Sequence, residues 1–269
     1  MDVTRLVIPP LPRSTILLVE VGSTAHGTGR SGQEDRDEMG IVVESPFEVL
    51  GLTMGRKNVM QRTQPDGVRS GPGDTDRSLY SLRNFLRLAA AGNPSVMMAL
   101  WAPVLMETPL GMELREIAPA FIGRHMIPRY RGYMQSQALR LLGVKGAGGH
   151  GTRGSGRREE LINEYGYDTK FAMHASRLGF QCIELLQTGE LKLPIEGEPA
   201  QWLVDVRYGL VPFEEWWERT LWLDQSLEMW LEETEVPAEP DRLMIENFSY
   251  HAHMTAWAGD LPPHVWRDK

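Results

Sequence analysis

The chain has 269 residues, of which 42% are hydrophobic and 24% are charged, which is ordinary for a soluble globular protein. Its net charge of −8 argues against a basic protein that coats nucleic acid, and its single cysteine, Cys182, excludes an intramolecular disulfide and a cysteine-based zinc site. No run of 18 apolar residues is present, and the short amino-terminal apolar stretch is broken by prolines and does not resemble a signal peptide, so we expect a cytoplasmic protein without a membrane partner.

Two strands are predicted near the amino terminus. Residues 15–21, TILLVEV, are apolar and rich in β-branched side chains, as expected for a buried strand. A turn at Gly22 and Ser23 follows, and then a polar, glycine-rich loop that runs to Glu34. Residues 37–43, DEMGIVV, form the second strand candidate.

An acidic pair marks the start of the second strand. Side chains at i and i+2 of a strand point to the same face, so Asp35 and Asp37 are expected to aim two carboxylates at one point. Two carboxylates this close repel each other unless a cation lies between them, and Mg²⁺ prefers oxygen ligands. The turn at Gly22 and Ser23 offers a backbone N–H and a hydroxyl for contact with a phosphate. The alternative is an acidic surface turn that binds nothing.

The segment from Gly22 to Ile41 resembles a known signature. Its GSTAHGT run, followed by DRDEMGI, is similar to the signature of the DNA polymerase β-like nucleotidyltransferase superfamily. The closest likeness is to a branch of predicted nucleotidyltransferases that includes RNA-ligase-associated and phage members. The resemblance implies a small mixed β-sheet, a magnesium site at Asp35 and Asp37, and a nucleotide held near Gly22 and Ser23.

The resemblance also implies a third carboxylate on a neighbouring strand. Asp76 is the first choice, because a short strand over 77–80 can begin there, and Asp74 is the alternative, since it shares that face. A further alternative is that this Asp caps the helix that follows. Residues 52–75 show little periodic apolar pattern and are predicted to form a long loop.

Helical patterns dominate the rest of the chain. Apolar residues from Leu79 to Ala89 recur at helical spacing, and the Gly-Asn-Pro sequence at 92–94 ends that helix. Further helices are predicted over 95–101, 110–120, 130–142, 157–164, 168–178, 180–188, 200–208, 213–233 and 240–257. Strands followed by helices indicate an α+β fold. We expect a nucleotidyltransferase catalytic domain over 1–110 and a helical substrate-binding domain over 111–269.

One predicted helix carries a row of potential cations. Lys170, His174 and Arg177 lie at i, i+4 and i+7 and therefore share one face, and Asp168 is the predicted N-cap of this helix. Such a row can grip a triphosphate or an RNA backbone. The stretch 165–178 is also similar to a helical block of the family named above. The alternative is a solvated face with His174 partly buried.

Charge is distributed unevenly along the chain. Residues 124–158 contain eight Arg or Lys and no Asp or Glu, whereas residues 214–246 have a balance of −9. The basic stretch indicates a surface for a polyanion. Its RNA-binding candidates are Arg129, Arg131, Arg157 and Arg158. The alternative is that both stretches are merely solvated faces.

The patterns and the resemblance together predict a nucleotidyltransferase that uses two Mg²⁺ ions and a nucleoside triphosphate (NTP). Asp35, Asp37 and Asp76 would bind the metal ions, and Asp76 would help to deprotonate the acceptor hydroxyl. The enzyme would transfer a nucleoside monophosphate to RNA, such as a tRNA end or a strand under repair, and release pyrophosphate. The main alternative is a non-catalytic nucleic-acid-binding or antitoxin-like protein on the same fold. A phosphohydrolase with the same metal cluster is a second alternative.

Overall fold

A five-stranded mixed sheet organises the first part of the molecule. The computed structural model describes residues 6–29, 35–52, 55–65, 68, 70–143, 158–233 and 235–258. The strands, in the spatial order β3-β4-β2-β1-β5, are β1 (Thr15–Val21), β2 (Arg36–Val42), β3 (Asn58–Arg62), β4 (Thr75–Ser81) and β5 (Val104–Glu107). Strands β2 and β4 are parallel, and the other neighbouring pairs are antiparallel.

Helices form most of the second half of the described chain, so the predicted α+β class is confirmed. The helices are α1 (Gly22–His26), α2 (Pro46–Leu50), α3 (Leu82–Ala90), α4 (Pro94–Met97), α5 (Pro109–Glu116), α6 (Ile127–Leu141), α7 (Glu159–Tyr165), α8 (Thr169–Thr188), α9 (Gly197–Arg207), α10 (Phe213–Glu233) and α11 (Arg242–Ala258). Among the residues that the structure describes, no helix combines the length and the apolar character needed to cross a membrane.

Helix α8 is longer than the sequence predicts. It is one helix of 20 residues, whereas the pattern divided it into 168–178 and 180–188. Gly179 lies where α8 meets α10, and a Cβ at this position would come within 3.0 Å of the Leu223 side chain. A glycine inside a helix costs about 1 kcal/mol relative to alanine. Close packing against α10 explains why a glycine stands here without ending the helix.

The predicted long loop over 52–75 is wrong in part, because β3 lies inside it. This strand is at the edge of the sheet and pairs with β4 alone, and none of its five residues is buried. An edge strand without a buried face leaves little apolar pattern for the sequence to display. The four-residue strand β5, at the opposite edge, was not predicted for the same reason.

The last described helix packs back onto the first part of the chain. In α11, Nε2 of His253 lies 3.2 Å from the Glu44 carboxylate, and the Trp257 indole N–H donates to the Glu44 carbonyl at 2.7 Å. A single hydrophobic core includes residues from the sheet and from the helices of both halves. The division into domains over 1–110 and 111–269 therefore stays a prediction.

Trp216 anchors α10 on α8. Its ring is fully buried, and its indole N–H lies 3.0 Å from the Ala172 carbonyl and 3.1 Å from the Ser176 hydroxyl. Trp222, on the same helix, is 50% exposed. The two residues therefore form a matched pair for measuring what this interface contributes.

We expect Trp216→Ala to lower the free energy of unfolding by about 3–5 kcal/mol, because it removes a large buried ring and leaves a cavity. Trp222→Ala should lower it by about 1 kcal/mol or less, since its ring is already half in water. Urea unfolding followed by circular dichroism measures both values. Equal losses in the two variants would contradict this description of the interface.

Candidate active site

Three carboxylates converge where β2 and β4 begin. Asp35 immediately precedes β2, Asp37 lies on β2, and Asp76 is the direct neighbour of Asp37 on β4. Each side chain offers an oxygen atom, and these atoms all lie within 4.8 Å of one another. The parallel pairing of β2 with β4 thus places Asp76, the first choice for the third carboxylate, beside Asp35 and Asp37.

Gly22 makes room for this cluster. It follows Val21, which lies opposite Asp37 in the pairing of β1 with β2. The φ angle of Gly22 is 75°, in the left-handed region, and a Cβ at this position would overlap the Asp37 carboxylate. Both constraints are satisfied only by glycine. Ser23 is half-exposed next to it, in the first turn of α1.

The environment of Asp37 disfavours its negative charge. Partial burial raises the pKa of Asp37 to about 6, and the nearby charges of Asp35 and Asp76 contribute to the rise. The positive charge of Lys170, on α8, acts in the opposite direction. A cation placed among the three carboxylates would relieve this penalty.

Asp76 is held by hydrogen bonds from the segment before β4. Its Oδ1 accepts from Arg62 Nε at 3.0 Å and from Gln64 Nε2 at 2.7 Å, and its Oδ2 accepts from the Ser70 hydroxyl at 2.7 Å. Burial alone would raise the pKa of Asp76, but these hydrogen bonds and the charge of Arg62 lower it below its ordinary value. Oδ2 accepts one hydrogen bond and keeps a second lone pair, so the network orients Asp76 and still leaves this oxygen able to bind a metal ion.

Asp74, the alternative third carboxylate, closes a turn instead. Its Oδ2 accepts from the Gly71 N–H at 3.0 Å, and its Oδ1 accepts from the Thr63 hydroxyl at 3.1 Å. The other alternative, in which Asp76 caps a helix, is wrong, because Asp76 lies within β4 and Ser81 occupies the N-cap position of α3. The geometry therefore favours Asp76 over Asp74 as the third carboxylate of the cluster.

Helix α8 brings positive charge to the carboxylates. Asp168 caps the helix, as predicted, by accepting from the backbone N–H groups of Lys170 and Phe171 at 3.1 and 3.2 Å. The cap fixes the start of the helix and therefore the position of Lys170, whose charge acts on Asp37. The cationic face of α8, which we define as Lys170, His174 and Arg177, thus begins beside the cluster.

His174 does not add a third charge to this face. Burial lowers its pKa well below the ordinary value, and the positive charges of Arg177, Lys170, Arg158 and Arg207 lower it further. The imidazole is therefore neutral near pH 7 in the unliganded protein. The expectation of three cations in a row is wrong at this position, because the sequence does not reveal how closely the other cations pack around it.

Arg177 contacts neutral groups. One of its terminal nitrogens forms a short contact with His26 Nε2 and donates to Gln181 Oε1 at 3.2 Å, while its Nε is buried without a partner. Burial lowers its pKa to about 10, so it stays cationic at neutral pH. None of the described carboxylates forms an ion pair with it. A cation desolvated in this way is costly until an anion approaches it.

The basic and acidic stretches of the sequence partly neutralise each other. Arg131, on α6, makes a bidentate ion pair with Asp224, on α10, at 2.9 and 2.8 Å. This guanidinium is therefore committed within the protein, and the prediction of Arg131 as an RNA contact does not agree with its geometry. Sequence alone cannot reveal this pairing, because 93 residues separate the two partners.

The other RNA-binding candidates lie in different environments. Arg158 is 3.4 Å from the Asp168 carboxylate, and its guanidinium lies over the Phe171 ring at 5.1 Å from the centroid. Arg129 is exposed on α6. Arg157 lies outside the described residues. Of the candidates that the structure describes, Arg131 and Arg158 are thus each paired with an aspartate, and Arg129 is exposed.

Sequence reasoning missed several residues around the site, namely His26, Arg62, Gln64, Ser70 and Gln181. His26 carried one signal, its place inside the GSTAHGT run. The three partners of Asp76 come from the segment that was predicted to be a loop, where no local pattern marks them. Gln181 lies one turn after Arg177 on α8. In the fold it contacts both Arg177 and His26 of α1, and no sequence pattern indicates the second contact.

The carboxylate cluster fits a divalent metal ion. Its donors are hard oxygen atoms, which Mg²⁺ prefers over nitrogen and sulfur. Mg²⁺ binds oxygen at about 2.0–2.1 Å, so oxygen atoms that lie within 4.8 Å of one another need only small side-chain movements to meet at an ion. Asp35, Asp37 and Asp76 are the residues that would hold it.

A comparison with protein families points in the same direction. Residues 10–244 match the model of a family described as the RNA repair pathway DNA polymerase beta family. No curated protein matches the chain. Among solved structures, the chain aligns with a nucleotidyltransferase-like protein from Exiguobacterium sibiricum 255-15, at 11% identity and a TM-score of 0.30, covering 94% of this chain and 77% of that one.

Without a metal ion, folding stability should depend on pH through Asp37. Its pKa rises from 3.8 to about 6 on folding, so the folded state binds more protons between these values. The stability gained is full below pH 3.8 and is lost as the pH rises through about 6. In a chelator at alkaline pH, Asp37→Asn should therefore melt at a higher temperature than the unaltered protein.

Thermal unfolding with EDTA and with Mg²⁺ checks this expectation. In EDTA, the difference in melting temperature between Asp37→Asn and the unaltered protein should shrink as the pH falls. Mg²⁺ should stabilise the unaltered protein more than the variant. A variant that is less stable than the unaltered protein in EDTA at alkaline pH would show that Asp37 is not under electrostatic strain.

Proposed function

Because this chain belongs to the RNA repair pathway DNA polymerase beta family, we propose that it is a nucleotidyltransferase whose two Mg²⁺ ions are held by Asp35, Asp37 and Asp76. The observation that carries the proposal is the convergence of these carboxylates within 4.8 Å, next to the cationic face of α8. Hard oxygen ligands for metal ions and adjacent groups for phosphate are the requirements of nucleotidyl transfer.

In the proposed reaction, a hydroxyl of the acceptor attacks the α-phosphorus of an NTP. The new bond joins the acceptor oxygen to the α-phosphorus, the bond from this phosphorus to the α–β bridging oxygen breaks, pyrophosphate leaves, and the hydroxyl proton is released. Bound Mg²⁺ would neutralise the carboxylates, lower the pKa of the hydroxyl and stabilise the leaving group. We assign Asp76 the role of ligand rather than base, because its hydrogen bonds lower its pKa and weaken it as a proton acceptor.

The phosphates of the NTP would lie between α1 and α8. Lys170 acts on the carboxylates, and Arg177 contacts neutral groups, so both can receive an anion. His174 can donate an N–H as a neutral imidazole or gain a proton when phosphates approach. The left-handed turn at Gly22 allows close approach of the backbone, with the Ser23 hydroxyl beside it.

RNA is the proposed acceptor, either as a tRNA end or as a strand under repair. The description of the family supports this choice. Arg129, which is exposed, and Arg158, which is partly exposed, remain candidates for contact with the strand. Arg131 is left out of this proposal, because Asp224 occupies its guanidinium.

Asp37→Asn and Asp76→Asn should each reduce nucleotidyl transfer by at least about 100-fold, because each removes a charged metal ligand. Asp74→Asn is the matched control, since it lies two residues from Asp76 but its carboxylate closes a turn. We expect it to retain activity within a few-fold. The assay follows transfer of label from an α-labelled NTP to bulk tRNA and to cut RNA strands, with Mg²⁺ or Mn²⁺.

The products of the same assay separate the competing functions. Labelled RNA together with pyrophosphate supports the proposal. Free phosphate in place of pyrophosphate would indicate a phosphohydrolase. No transfer to any acceptor, with RNA binding kept in both unaltered and Asp37→Asn protein, would indicate a non-catalytic nucleic-acid-binding protein.

Arg177→Gln should weaken NTP binding by about 10- to 100-fold, because charged hydrogen bonds contribute about 1.5–3 kcal/mol. Arg177→Lys keeps the charge but not the planar guanidinium, so its affinity for the NTP should lie between those of the unaltered protein and Arg177→Gln. Isothermal calorimetry with a non-hydrolysable NTP and Mg²⁺ measures the affinity, and the melting temperature without ligand shows whether each variant is folded. A folded Arg177→Gln variant with unchanged affinity would remove Arg177 from the phosphate site.

A further inference from the structure

A cationic cavity lies at the opposite end of the sheet from the carboxylates. It has a volume of about 580 Å³ and opens where β4 ends and β3 begins. Four of the residues that line it are cationic, namely Arg56, Lys57, Arg83 and Arg87. Asp76 and Ser81, at the two ends of β4, are about 17 Å apart at about 3.3 Å per strand residue. This cavity is therefore separate from the proposed active site.

The four cations have no acidic partners among the described residues. The cavity is also lined by two glutamates, but each carboxylate is engaged by other groups. Glu44 accepts from the Arg83 backbone N–H at 3.2 Å and contacts His253 at 3.2 Å. Glu48 accepts from the backbone and hydroxyl of Ser45 at 2.8 Å. The four cations outnumber the two glutamates, so the cavity keeps a net positive charge for a ligand that is not part of the protein.

A buried asparagine ties two walls of the cavity together. The Asn84 side chain is buried within α3, and its carbonyl oxygen accepts from an Arg87 terminal nitrogen at 2.9 Å. Its amide donates to the Lys57 carbonyl at 3.3 Å. The guanidinium of Arg87 and the backbone of Lys57 are therefore held in fixed relation, whereas arginines on an ordinary solvated face have no such support.

Exposed apolar side chains lie on the helix that borders the cavity. Helix α2 and the residues after it contribute Glu48, Val49 and Gly51 to the cavity wall. In the same segment Phe47 is 76% exposed and Leu50 is 75% exposed. Phe47 is followed directly on α2 by the lining residues Glu48 and Val49. Exposed aromatic rings and clustered cations are the two features that proteins use to stack bases while holding a phosphate backbone.

The cavity continues past α3. An adjoining cavity of about 360 Å³ is also lined by Arg83 and Arg87, and it extends to Arg242 and Glu246 on α11. Arg83 and Arg87 therefore line both cavities. Two adjoining cavities with shared cations suit a chain of phosphates better than a single free nucleotide.

We propose that the cavity lined by Arg56, Lys57, Arg83 and Arg87 binds the backbone of single-stranded RNA, at a distance from its reacting end. The position of the RNA end rests on the proposed function, whereas the binding itself does not. A stacked strand rises about 3.4 Å per nucleotide, so a strand with its end at the carboxylates reaches this cavity after about five nucleotides. An acidic peptide also carries negative charge, but it has no bases to stack on Phe47.

RNA binding without catalysis tests the site directly. Fluorescence anisotropy of a labelled 12-nucleotide RNA is measured in EDTA, without NTP, so that its outcome is independent of the transfer reaction. Arg83→Gln/Arg87→Gln should weaken binding at least tenfold, and the slope of log affinity against log salt should become shallower by about 1.4, or about 0.7 per lost phosphate contact. Lys192→Gln, which removes one exposed positive charge elsewhere, should change affinity less than twofold.

The nature of the ligand is tested with a second variant and a second polyanion. Phe47→Ala should weaken binding of the RNA several-fold but leave binding of inorganic polyphosphate unchanged, because only the RNA has bases. Poly-glutamate that displaces the RNA at equal charge concentration would overturn the proposal in favour of an acidic protein partner. Arg83→Gln/Arg87→Gln binding RNA as tightly as the unaltered protein would also overturn it.

Where transfer is active, RNA length completes the test. Arg83→Gln/Arg87→Gln should raise the KM for a 12-nucleotide acceptor at least fivefold, and it should leave the KM for a trinucleotide and for the NTP unchanged. Equal effects on both acceptors would overturn the assignment of this cavity to a distant part of the strand. Absence of transfer with intact, arginine-dependent RNA binding would overturn the proposed function and leave this RNA site in place.

Discussion

The parallel pairing of β2 with β4 is the constraint on which the rest of the site depends. Adjacent parallel strands place residues of equal register side by side, about 4.8 Å apart, and here that register joins Asp37 to Asp76. Partial burial, together with the negative charges of Asp35 and Asp76, raises the pKa of Asp37 to about 6. Neighbouring features then follow from it. Gly22 has no side chain that would enter the cluster, Arg62 and its neighbours orient Asp76, and α8 brings Lys170 close enough to oppose the negative charge.

Helix α8 connects this electrostatic arrangement to the core. Its apolar side is buried against α6 and α10, and Trp216 joins it to α10 by a hydrogen bond as well as by packing. Because that side is fixed, the opposite side cannot turn its cations away from the carboxylates. The packing of α8 against α6 and α10 therefore helps to determine where Arg177 lies. The neutral partners of Arg177, His26 and Gln181, orient the guanidinium without cancelling its charge.

The sequence predicted the parts of this arrangement that depend on local pattern. The first strand, the turn at Gly22, the acidic pair and the spacing of Lys170 and Arg177 are all properties of short segments, and the structure has them where they were expected. Features that depend on contacts between distant segments were not predictable in this way. The neutral state of His174 results from burial and from cations that come together only in the fold, and Arg131 is engaged by a residue 93 positions away. The edge strand β3 has no buried face, so no pattern reveals it. The choice between Asp74 and Asp76 needed the register with β2, which a single sequence does not contain.

The sheet also sets the distance between the carboxylates and the second group of cations. Carboxylates lie at the starts of β2 and β4, and the second group of cations lies around the end of β4. The distance of about 17 Å along the strand is about twice the screening length of about 8 Å at physiological ionic strength, so the two groups act almost independently. Lys170 and Arg177 belong to the first group of charges, since they lie on α8, and their charge would be matched by the phosphates that the site is proposed to receive. The same strand length thus sets both the independence of the two sites and the number of nucleotides that could lie between them.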